Sequence, residues 1–365
     1  MNINTIQYLK NNKKKNFFNI LIIAIGIFTI YFIMSMGQGL IDSINKLGVN
    51  AFEEAIYVKD PTGNIDEEEI IIENNINTEA VYRVKIGETD ANVLGSTAGT
   101  RVVIGTEDTI KQIYNIYKYD IVSGRFPENN NEILIEDTVA KTKGVKCGDY
   151  IGNKVDEKEN LEGKFKVIGI YKGDGIINFA VQDEELNPKL NKNALVIVPK
   201  ENKLNDLKAE VKKIETLFVF DFGKTANAIL YGILLFGIIL VSQIVFVLSV
   251  IISNISYLNF LNRRYEYAIL KAIAMTKKEL KYMIFNEQLY INIFSIAVGF
   301  FISFIGILIM NKSFAEANGT LIPYISPYPV AYSLTIPIIS LFIVYRKIGK
   351  SINKMEIVEI LDGNE

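Results

Sequence analysis

The tripeptides Gly223–Thr225 and Gly349–Ser351 come nearest in this sequence to a nucleotide-binding loop. A P-loop has the pattern G-x-x-x-x-G-K-[ST], because successive backbone N–H groups must surround the phosphates. The positions that would need the first glycine hold Phe218 and Val344. Neither tripeptide is therefore a P-loop, and any ATPase that works with this protein is expected on a separate chain.

Other catalytic chemistry is limited by the absence of histidine and by a single cysteine, Cys147. The Ser–His–Asp and Cys–His systems both need an imidazole, and a zinc site would need carboxylates almost alone. The acidic run Asp66–Glu69 is interpreted as a solvated helix start rather than a calcium or cationic-peptide site, and Cys147 as a turn residue. We expect no catalytic residues, no metal and no cofactor on this chain, and a membrane-bound enzyme is the weakest alternative.

Apolar residues make up 49% of the 365 residues, and they are concentrated in a few long runs. A helix needs about 20 apolar residues to cross the hydrocarbon core of a bilayer. The first run is longer than the apolar core of a cleaved signal peptide, which favours an uncleaved anchor. The second is long enough to project beyond the lipid, and the fourth is short and contains Pro337. The predicted spans are residues 17–37, 226–258, 289–310 and 330–345.

The distribution of Lys and Arg predicts the orientation of these spans. Fourteen of these residues fall in the two terminal segments and the loop between spans two and three, whereas the loop between spans three and four has only Lys312. Basic loops stay in the cytoplasm. We therefore predict residues 1–16, 259–288 and 346–365 in the cytoplasm, and residues 38–224 and 311–329 outside, in a bacterial cell membrane.

Residues 38–224 are acidic, with 33 Asp and Glu against 24 Lys and Arg, a net charge of −9. Leu40, Ile44 and Leu47 recur at helical spacing, which predicts that the first span continues outward as a stalk helix. Short β-type runs separated by Gly, Asn, Asp and Pro then indicate a small α+β domain. The expected strands cover residues 102–104, 132–135, 165–171 and 194–198, and the expected helices cover 109–117 and 202–217. The predicted fold class is a four-helix membrane protein with an α+β domain inserted between spans one and two.

Residues 263–290 form the most informative segment of the chain. Residues 264–274 favour a short amphipathic helix whose apolar face consists of Tyr267, Leu270 and Ile273-Ala274. Thr276 and Glu279 match a capping box that starts a second helix. Periodicity alone does not separate a helix lying at the lipid headgroups from one that docks onto a partner protein.

Small and polar residues are placed along span two, where they can pack helices closely within or between subunits. They are Gly237, Ser242, Gln243 and Ser249. A polar group in mid-membrane, such as Gln243, is a functional candidate, but a helix–helix hydrogen bond is the favoured interpretation over substrate contact.

The segment RRYEYAILKAIAMTKKEL resembles the hallmark of the FtsX/MacB-like permeases of ABC transporters. The matching positions are Arg264, Glu266, Ala268, Ile269, Leu270, Lys271, Ala272, Thr276, Lys277 and Leu280. Glu287 resembles the acidic residue that opens the next span in this family, and Ala274 stands where the family has glycine.

Residues 38–224 also resemble the periplasmic core domain of this family. The matching pieces are IGTED (104–108), residues 121–151 and FKVIGIYKGDG (165–175). The tail INKMEIVEIL (352–361) resembles the family's ending, with Met355 in place of a proline. The resemblance covers essentially the whole chain and preserves the order of its elements.

This resemblance implies a permease half that works by mechanotransmission. A cytoplasmic ATPase dimer, which binds the ATP and Mg²⁺, would hold a coupling helix and move the external domain to export or extract a peptide or amphiphilic substrate. The coupling residues implied are Arg264, Glu266, Tyr267, Leu270, Lys271, Ile273 and Thr276. The resemblance also implies a second permease copy, identical or related, and allows an external adaptor or substrate peptide but no nucleic acid. The alternative is a signalling protein that activates an external partner, such as a cell-wall hydrolase, without transport.

Overall fold

The computed structural model describes residues 13–61, 65–93, 96–182, 193–220, 223–273 and 275–354. The helices are α1 (Lys13–Gly48), α2 (Asp66–Glu73), α3 (Glu107–Tyr117), α4 (Asp137–Lys143), α5 (Leu204–Val211), α6 (Gly223–Leu261), α7 (Arg264–Ala272), α8 (Lys277–Met310) and α9 (Pro327–Lys354). The strands are β1 (Ile56–Lys59), β2 (Thr78–Val93), β3 (Ser96–Gly105), β4 (Asp120–Gly124), β5 (Glu132–Glu136), β6 (Tyr150–Ile151), β7 (Phe165–Lys172), β8 (Ile177–Val181), β9 (Ala194–Pro199) and β10 (Phe218–Val219).

The chain divides into two compact units. A helical unit contains residues up to 38, residues 233–310 and the residues from 322 onward. An α+β unit contains residues 39–232 together with residues 311–321. The predicted fold class is confirmed: an α+β domain is inserted between the first and second long apolar helices.

Four helices in the described part of the chain are long and apolar enough to cross a membrane. They cover Phe17–Phe52, Asn227–Leu261, Lys277–Asn318 and Pro327–Asn353. The first continues without a break through Leu47, so the predicted stalk helix is confirmed. The fourth extends beyond the predicted 330–345 at both ends and includes Pro337. Where each helix meets the lipid stays a prediction.

The core of the helical unit consists mainly of isoleucine and valine side chains. It includes Ile23, Ile27 and Ile30 of α1, Val241, Val245 and Ile252 of α6, Ile291 of α8 and Ile336 of α9. Gly299 of α8 permits the close approach of α1, because a Cβ at this position would lie 2.9 Å from Ile27 and 3.0 Å from the carbonyl oxygen of Ala24. Close packing of this kind is the main attraction between helices in lipid.

The α+β unit is built on one sheet, whose strand order within the described residues is β10-β1-β9-β2-β3-β8-β5-β7-β4, with β6 paired to β7. The pairs β3–β8 and β5–β7 are parallel and the other pairs are antiparallel. On one face, Tyr57, Tyr114, Tyr117 and Tyr171 pack with Phe179 in the largest core cluster. Because these rings are large and rigid, burying them stabilises the sheet strongly.

Two expectations about this domain need correction. The helix predicted over 202–217 is wrong in extent, because α5 ends at Val211. The chain then turns so that Leu217 reaches the core beneath α5 and Phe218–Val219 pairs with β1. The acidic run does start a helix, α2, but it is not simply solvated: Glu68 is buried and accepts a hydrogen bond from Thr216, while Asp66 and Glu69 pair with Arg83.

Candidate functional site

The short helix α7 lies between α6 and α8 and is separated from α8 by a capped break. Glu279 N–H donates to Thr276 Oγ1 at 3.2 Å, and Thr276 N–H donates to Glu279 Oε2 at 2.8 Å. These reciprocal bonds are those of a capping box, so this prediction is confirmed. The box starts α8 after α7 has ended at Ala272, so α7 is a discrete element.

One face of α7 is held against the helical unit. The Tyr267 side chain is 1% exposed and stacks on Phe260 with 5.3 Å between ring centroids and 17° between planes. Leu270 and Met275 pack on the same cluster, whose buried members include Leu280 of α8. Aromatic pairs of this kind stabilise by about 0.5–1.5 kcal/mol beyond the area they bury. The inner face is therefore already occupied by the protein's own core.

Arg263, immediately before α7, is the polar anchor of this region. Its Nη1 donates to both carboxylate oxygens of Glu287, at 2.7 and 2.8 Å, and its Nε donates to Glu266 Oε2 at 3.1 Å. The guanidinium also lies 4.8 Å from the centre of the Tyr267 ring. The side chains of Arg263 and Glu287 are only 14% and 6% exposed. Arg263 was not among the coupling residues predicted from the sequence. Its partner Glu287 was identified there only as a position that resembles the family.

Three apolar side chains are exposed to solvent on the side of α7 opposite Tyr267. They are Tyr265 and Ile269 in α7 and Ile273 immediately after it, and we call them the outer stripe. They are 55%, 38% and 66% exposed and are spaced four residues apart. Residues at this spacing lie on one side of a helix. The predicted apolar face is corrected, because Ile273 is exposed and does not lie with the buried Tyr267 and the partly buried Leu270. Ala274, the other predicted member, lies outside the described residues.

The remaining predicted coupling residues surround the outer stripe. Arg264, Glu266 and Thr276 are exposed, and Lys271 is half-buried. The predicted set is therefore divided by the fold: Tyr267 and Leu270 hold the helix in place, whereas Arg264, Glu266 and Ile273 face outward. Tyr265 and Ile269 belong to the exposed face but were not selected from the sequence.

The predicted polar residues of the second span are separated in the structure. Ser249 is fully buried, and its Oγ lies 3.5 Å from the carbonyl oxygen of Ile336, next to Pro337 in α9. Ser253 similarly donates to the Ser340 carbonyl oxygen at 3.3 Å. These serines connect α6 to α9 by hydrogen bonds on either side of Pro337.

Ser242 and Gln243 are exposed on the other side of α6. Large apolar side chains surround them on this side, including Leu235, Phe236 and Phe246. Gln243 therefore lies on an outward apolar face of the helix.

A family model described as the MacB-like periplasmic core domain matches residues 17–216, and one described as the FtsX-like permease C-terminal matches residues 238–355. None of the curated proteins matches the chain.

Two solved structures are similar to the first part of the chain. The periplasmic region of MacB from Actinobacillus actinomycetemcomitans is 12% identical, covers 48% of this chain and 92% of its own, and has a TM-score of 0.28. The extracellular domain of the noncanonic ABC-type transporter YknZ from Gram-positive bacteria is 12% identical, covers 45% of this chain and 98% of its own, and has a TM-score of 0.29.

The two family models match the inserted domain and the C-terminal helices in the order in which the sequence presents them. The first alone covers more than half of the chain. The protein therefore belongs to the FtsX/MacB-like permease family of ABC transporters.

Proposed function

We propose that this permease couples ATP hydrolysis on a separate ATPase dimer to movement of its α+β domain, and that this movement exports or extracts a peptide or amphiphilic substrate of the cell envelope. The observation that carries the proposal is the division of α7 into an anchored inner face and an exposed outer stripe. The ATPase binds the outer stripe.

The anchoring supports a mechanical role for α7. Force on a helix is transmitted only if the helix resists turning on its support. The bonds of Arg263 to Glu287 and Glu266 and the Tyr267–Phe260 stack oppose rotation of α7 relative to α6 and α8. A helix that simply rested at lipid headgroups would need no such attachment to the bundle.

The outer stripe also suits a protein partner. Helix-in-groove recognition uses a few apolar anchors repeated every three or four residues on one face. Tyr265, Ile269 and Ile273 supply three such anchors, and Arg264 and Glu266 beside them supply charges that orient a partner. No catalytic role is proposed for this chain, since ATP and Mg²⁺ belong to the partner ATPase.

The arrangement in the membrane forms part of the same proposal. Both termini and α7 lie in the cytoplasm and the α+β domain lies outside, as the placement of Lys and Arg indicates. A second permease, identical or related, covers the outward face of α6 around Gln243. A polar side chain on an apolar membrane face is more stable when a neighbouring helix offers it a hydrogen bond.

The test of ATPase coupling is a charge placed on the outer stripe. Ile273→Asp is expected to abolish co-purification of the ATPase that accompanies the wild-type chain, because a carboxylate would be buried in an apolar contact. The Leu270→Asp variant is unsuitable, since Leu270 belongs to the packed inner face. Tyr282→Asp on α8 is the matched control, since Tyr282 is equally exposed but lies off the stripe. Retention of the ATPase by Ile273→Asp would contradict the assignment.

Transport is separated from signalling by a second experiment. The permease with its ATPase is reconstituted in vesicles, and ATP-dependent release of substrate from the membrane is measured. Recovery of a cell-wall hydrolase on the full-length permease, with no ATP-dependent substrate release, would reject export and support the signalling alternative.

A further inference from the structure

The segment between α8 and α9, residues 311–321, packs as part of the α+β unit, although both flanking helices belong to the helical unit. We call this segment the arm. The side chains of Asn311 and Ala315 in it are buried, at 0% and 2% exposure. Its short 3-10 turn, Glu316–Asn318, contacts α4 and β2. A segment that the sequence predicts only as a short external loop is therefore a docked element of the domain.

Gly319 makes the closest approach of the arm to the sheet. Its φ of +63° is a left-handed conformation that glycine adopts without strain. A Cβ at this position would clash with the carbonyl oxygen of Asn92 in β2, and would lie 3.1 Å from the methyl carbons of Thr138 and Thr142 in α4. The adjacent Asn318 Oδ1 accepts a hydrogen bond from Asn92 Nδ2 at 3.2 Å. Any side chain at 319 would therefore move the arm away from the domain.

The end of α1 contacts the same helix, α4. Lys46 donates to Glu136, which caps the N-terminus of α4, and to the hydroxyl of Thr138. Leu47 packs on the small core cluster that contains Val139 of α4. Helix α4 is therefore attached to two segments, one that continues from α1 and one that continues from α8.

We propose that the arm is a second transmission element, and that Asn318 and Gly319 are the positioning residues through which movement of α8 reaches α4. Glu287 of α8 binds Arg263 at the base of α7, so α8 is attached to the coupling helix. Helical backbone then runs without interruption from Lys277 to Asn318. Displacement of α8 therefore displaces the arm, and packing at Gly319 passes that displacement to α4.

The two attachments of α4 differ in stiffness. Lys46 holds Glu136 through a flexible side chain, so α1 can change its angle while the bond is kept. At Gly319 the backbone itself lies against β2 and α4, and closely packed atoms leave little room for relative movement. The arm therefore determines how α4 moves when α8 is displaced. The inference rests on the proposed function and deepens it, because it names the contact that moves the domain.

The test compares Gly319→Ala with Gly144→Ala in the full-length permease, bound to its ATPase in nanodiscs. Gly144, after the last residue of α4, has a φ of +68° and open space where a Cβ would be. Alanine at 144 therefore introduces the same backbone strain without displacing a neighbour. Cys147 is replaced by Ser, and spin labels on cysteines at the exposed positions Val155 and Tyr282 report movement of the domain relative to α8.

ATP is expected to change the distance between the labels in the wild type and, to the same extent, in Gly144→Ala. Gly319→Ala is expected to reduce this change to about half or less, because only the α1 attachment of α4 is left intact. Asn318→Ala removes the hydrogen bond to Asn92 without adding backbone strain, and is expected to give an intermediate reduction. This variant keeps the inference testable if Gly319→Ala folds poorly.

A second measurement, amide hydrogen exchange, needs neither ATPase nor ATP. Thr320 N–H donates to the Ala315 carbonyl oxygen within the arm at 2.9 Å. Exchange of residues 315–320 is expected to rise in Gly319→Ala and to stay at the wild-type rate in Gly144→Ala, because only the first substitution displaces the arm.

Three results would overturn the inference: unchanged exchange of the arm in Gly319→Ala, a full ATP-dependent distance change in that variant, or equal reductions in both glycine variants. Gly319→Ala should still retain the ATPase, whereas Ile273→Asp should lose it. Reduced movement with the ATPase bound therefore concerns the arm alone. A wild type whose label distance does not respond to ATP would overturn the proposed function, and the inference with it.

Discussion

Two ion pairs, one in each compact unit, hold the ends of long helices, and they differ in geometry. At the α6–α7 junction, Arg263 binds both oxygens of Glu287 and also contacts Glu266 and Tyr267. At the end of α1, Lys46 Nζ donates to Glu136 Oε1 at 2.6 Å and to Thr138 Oγ1 at 3.1 Å. The Arg263 and Glu287 side chains are 14% and 6% exposed, and those of Lys46 and Glu136 are 26% and 0% exposed.

The chemistry of the two cations determines how each junction can move. A planar guanidinium whose Nη1 binds Glu287 and whose Nε binds Glu266 has a fixed orientation, whereas an ammonium is a compact charge on a flexible stem. The Arg263 junction therefore resists rotation of α7, and the Lys46 junction retains α1 at the domain while permitting a change of angle. A stiff junction at α7 and a flexible one at α1 would suit the proposed transmission of movement.

The largest expected effect is that of Glu287→Gln. It removes the buried charge partner of the largely buried Arg263 guanidinium, and the loss of such a partner costs about 3–5 kcal/mol in comparable pairs. Thermal unfolding of the purified permease is the measurement, and Glu266→Gln, at an exposed partner of the same arginine, is the control. Equal losses in the two variants would show that burial of Glu287 is not what makes the pair strong.

Glu136→Gln is expected to have a smaller effect, of about 2–3 kcal/mol, through the loss of charge-assisted hydrogen bonds. Lys46 is partly exposed and can be hydrated, and the substituted amide oxygen can still accept from Thr138 N–H, as the Glu136 carboxylate does at 2.6 Å. Chemical unfolding of the full chain measures this, with Glu128→Gln at a more exposed ion pair as control. A loss as large as that of Glu287→Gln would remove the distinction between the junctions.

Exchanging arginine and lysine at the two junctions tests the difference between the two cations directly. Arg263→Lys keeps the charge, but one ammonium cannot bind Glu287 and Glu266 at once, so the change should cost about 1.5 kcal/mol and reduce coupled ATP hydrolysis. Lys46→Arg, the reverse exchange, should leave stability almost unchanged and slow movement of the domain, measured by distances between spin labels with and without ATP. Unaltered coupling in Arg263→Lys would contradict the proposed stiffness.

The smallest expected effect depends on pH and concerns Glu132, at the opposite end of β5 from Glu136. Burial acts to raise its pKa, but N–H groups of Glu128 and Asn129 and the guanidinium of Arg125 lower the pKa to about 2. A lowered folded-state pKa contributes stability above the unfolded value of about 4.3, and this contribution is lost as the pH falls toward 2.

Glu132→Gln should therefore destabilise the domain by up to about 1 kcal/mol at pH 6, since half-exposed Arg125 is screened by solvent. The difference from wild type should shrink between pH 5 and about 2. Unfolding by denaturant over this pH range measures it. A difference that stays constant across the range would show that the Glu132 charge does not contribute.

Local patterns were sufficient for part of this structure. The capping box of Thr276 and Glu279 involves residues three apart, so its bonds depend on nearby backbone alone. The continuation of α1 through Leu47 likewise follows from spacing along one helix. The strands β3, β5, β7 and β9 were predicted in part from their β-branched runs, whereas the longer and more polar β2 was not.

The wrong assignment of Ile273 has a specific physical cause. The prediction extended a helical period through residue 274, but α7 ends at Ala272 and Ile273 has a ψ of 29°, outside the helical range. Once the helix ends, the period of 3.6 residues no longer determines direction. Packing decides its direction instead, and its side chain is exposed, as are those of Tyr265 and Ile269.

Four features could be predicted from the amino-acid sequence alone: the apolar helices, the inserted domain, the lack of a P-loop and the capped break before α8. Each of them depends on composition or on residues close along the chain. Long-range contacts set which face of α7 remains exposed and which carboxylate meets Arg263. These features depend on contacts between segments far apart in the chain. The packing that buries Tyr267, and not helical periodicity, leaves the outer stripe available to a partner.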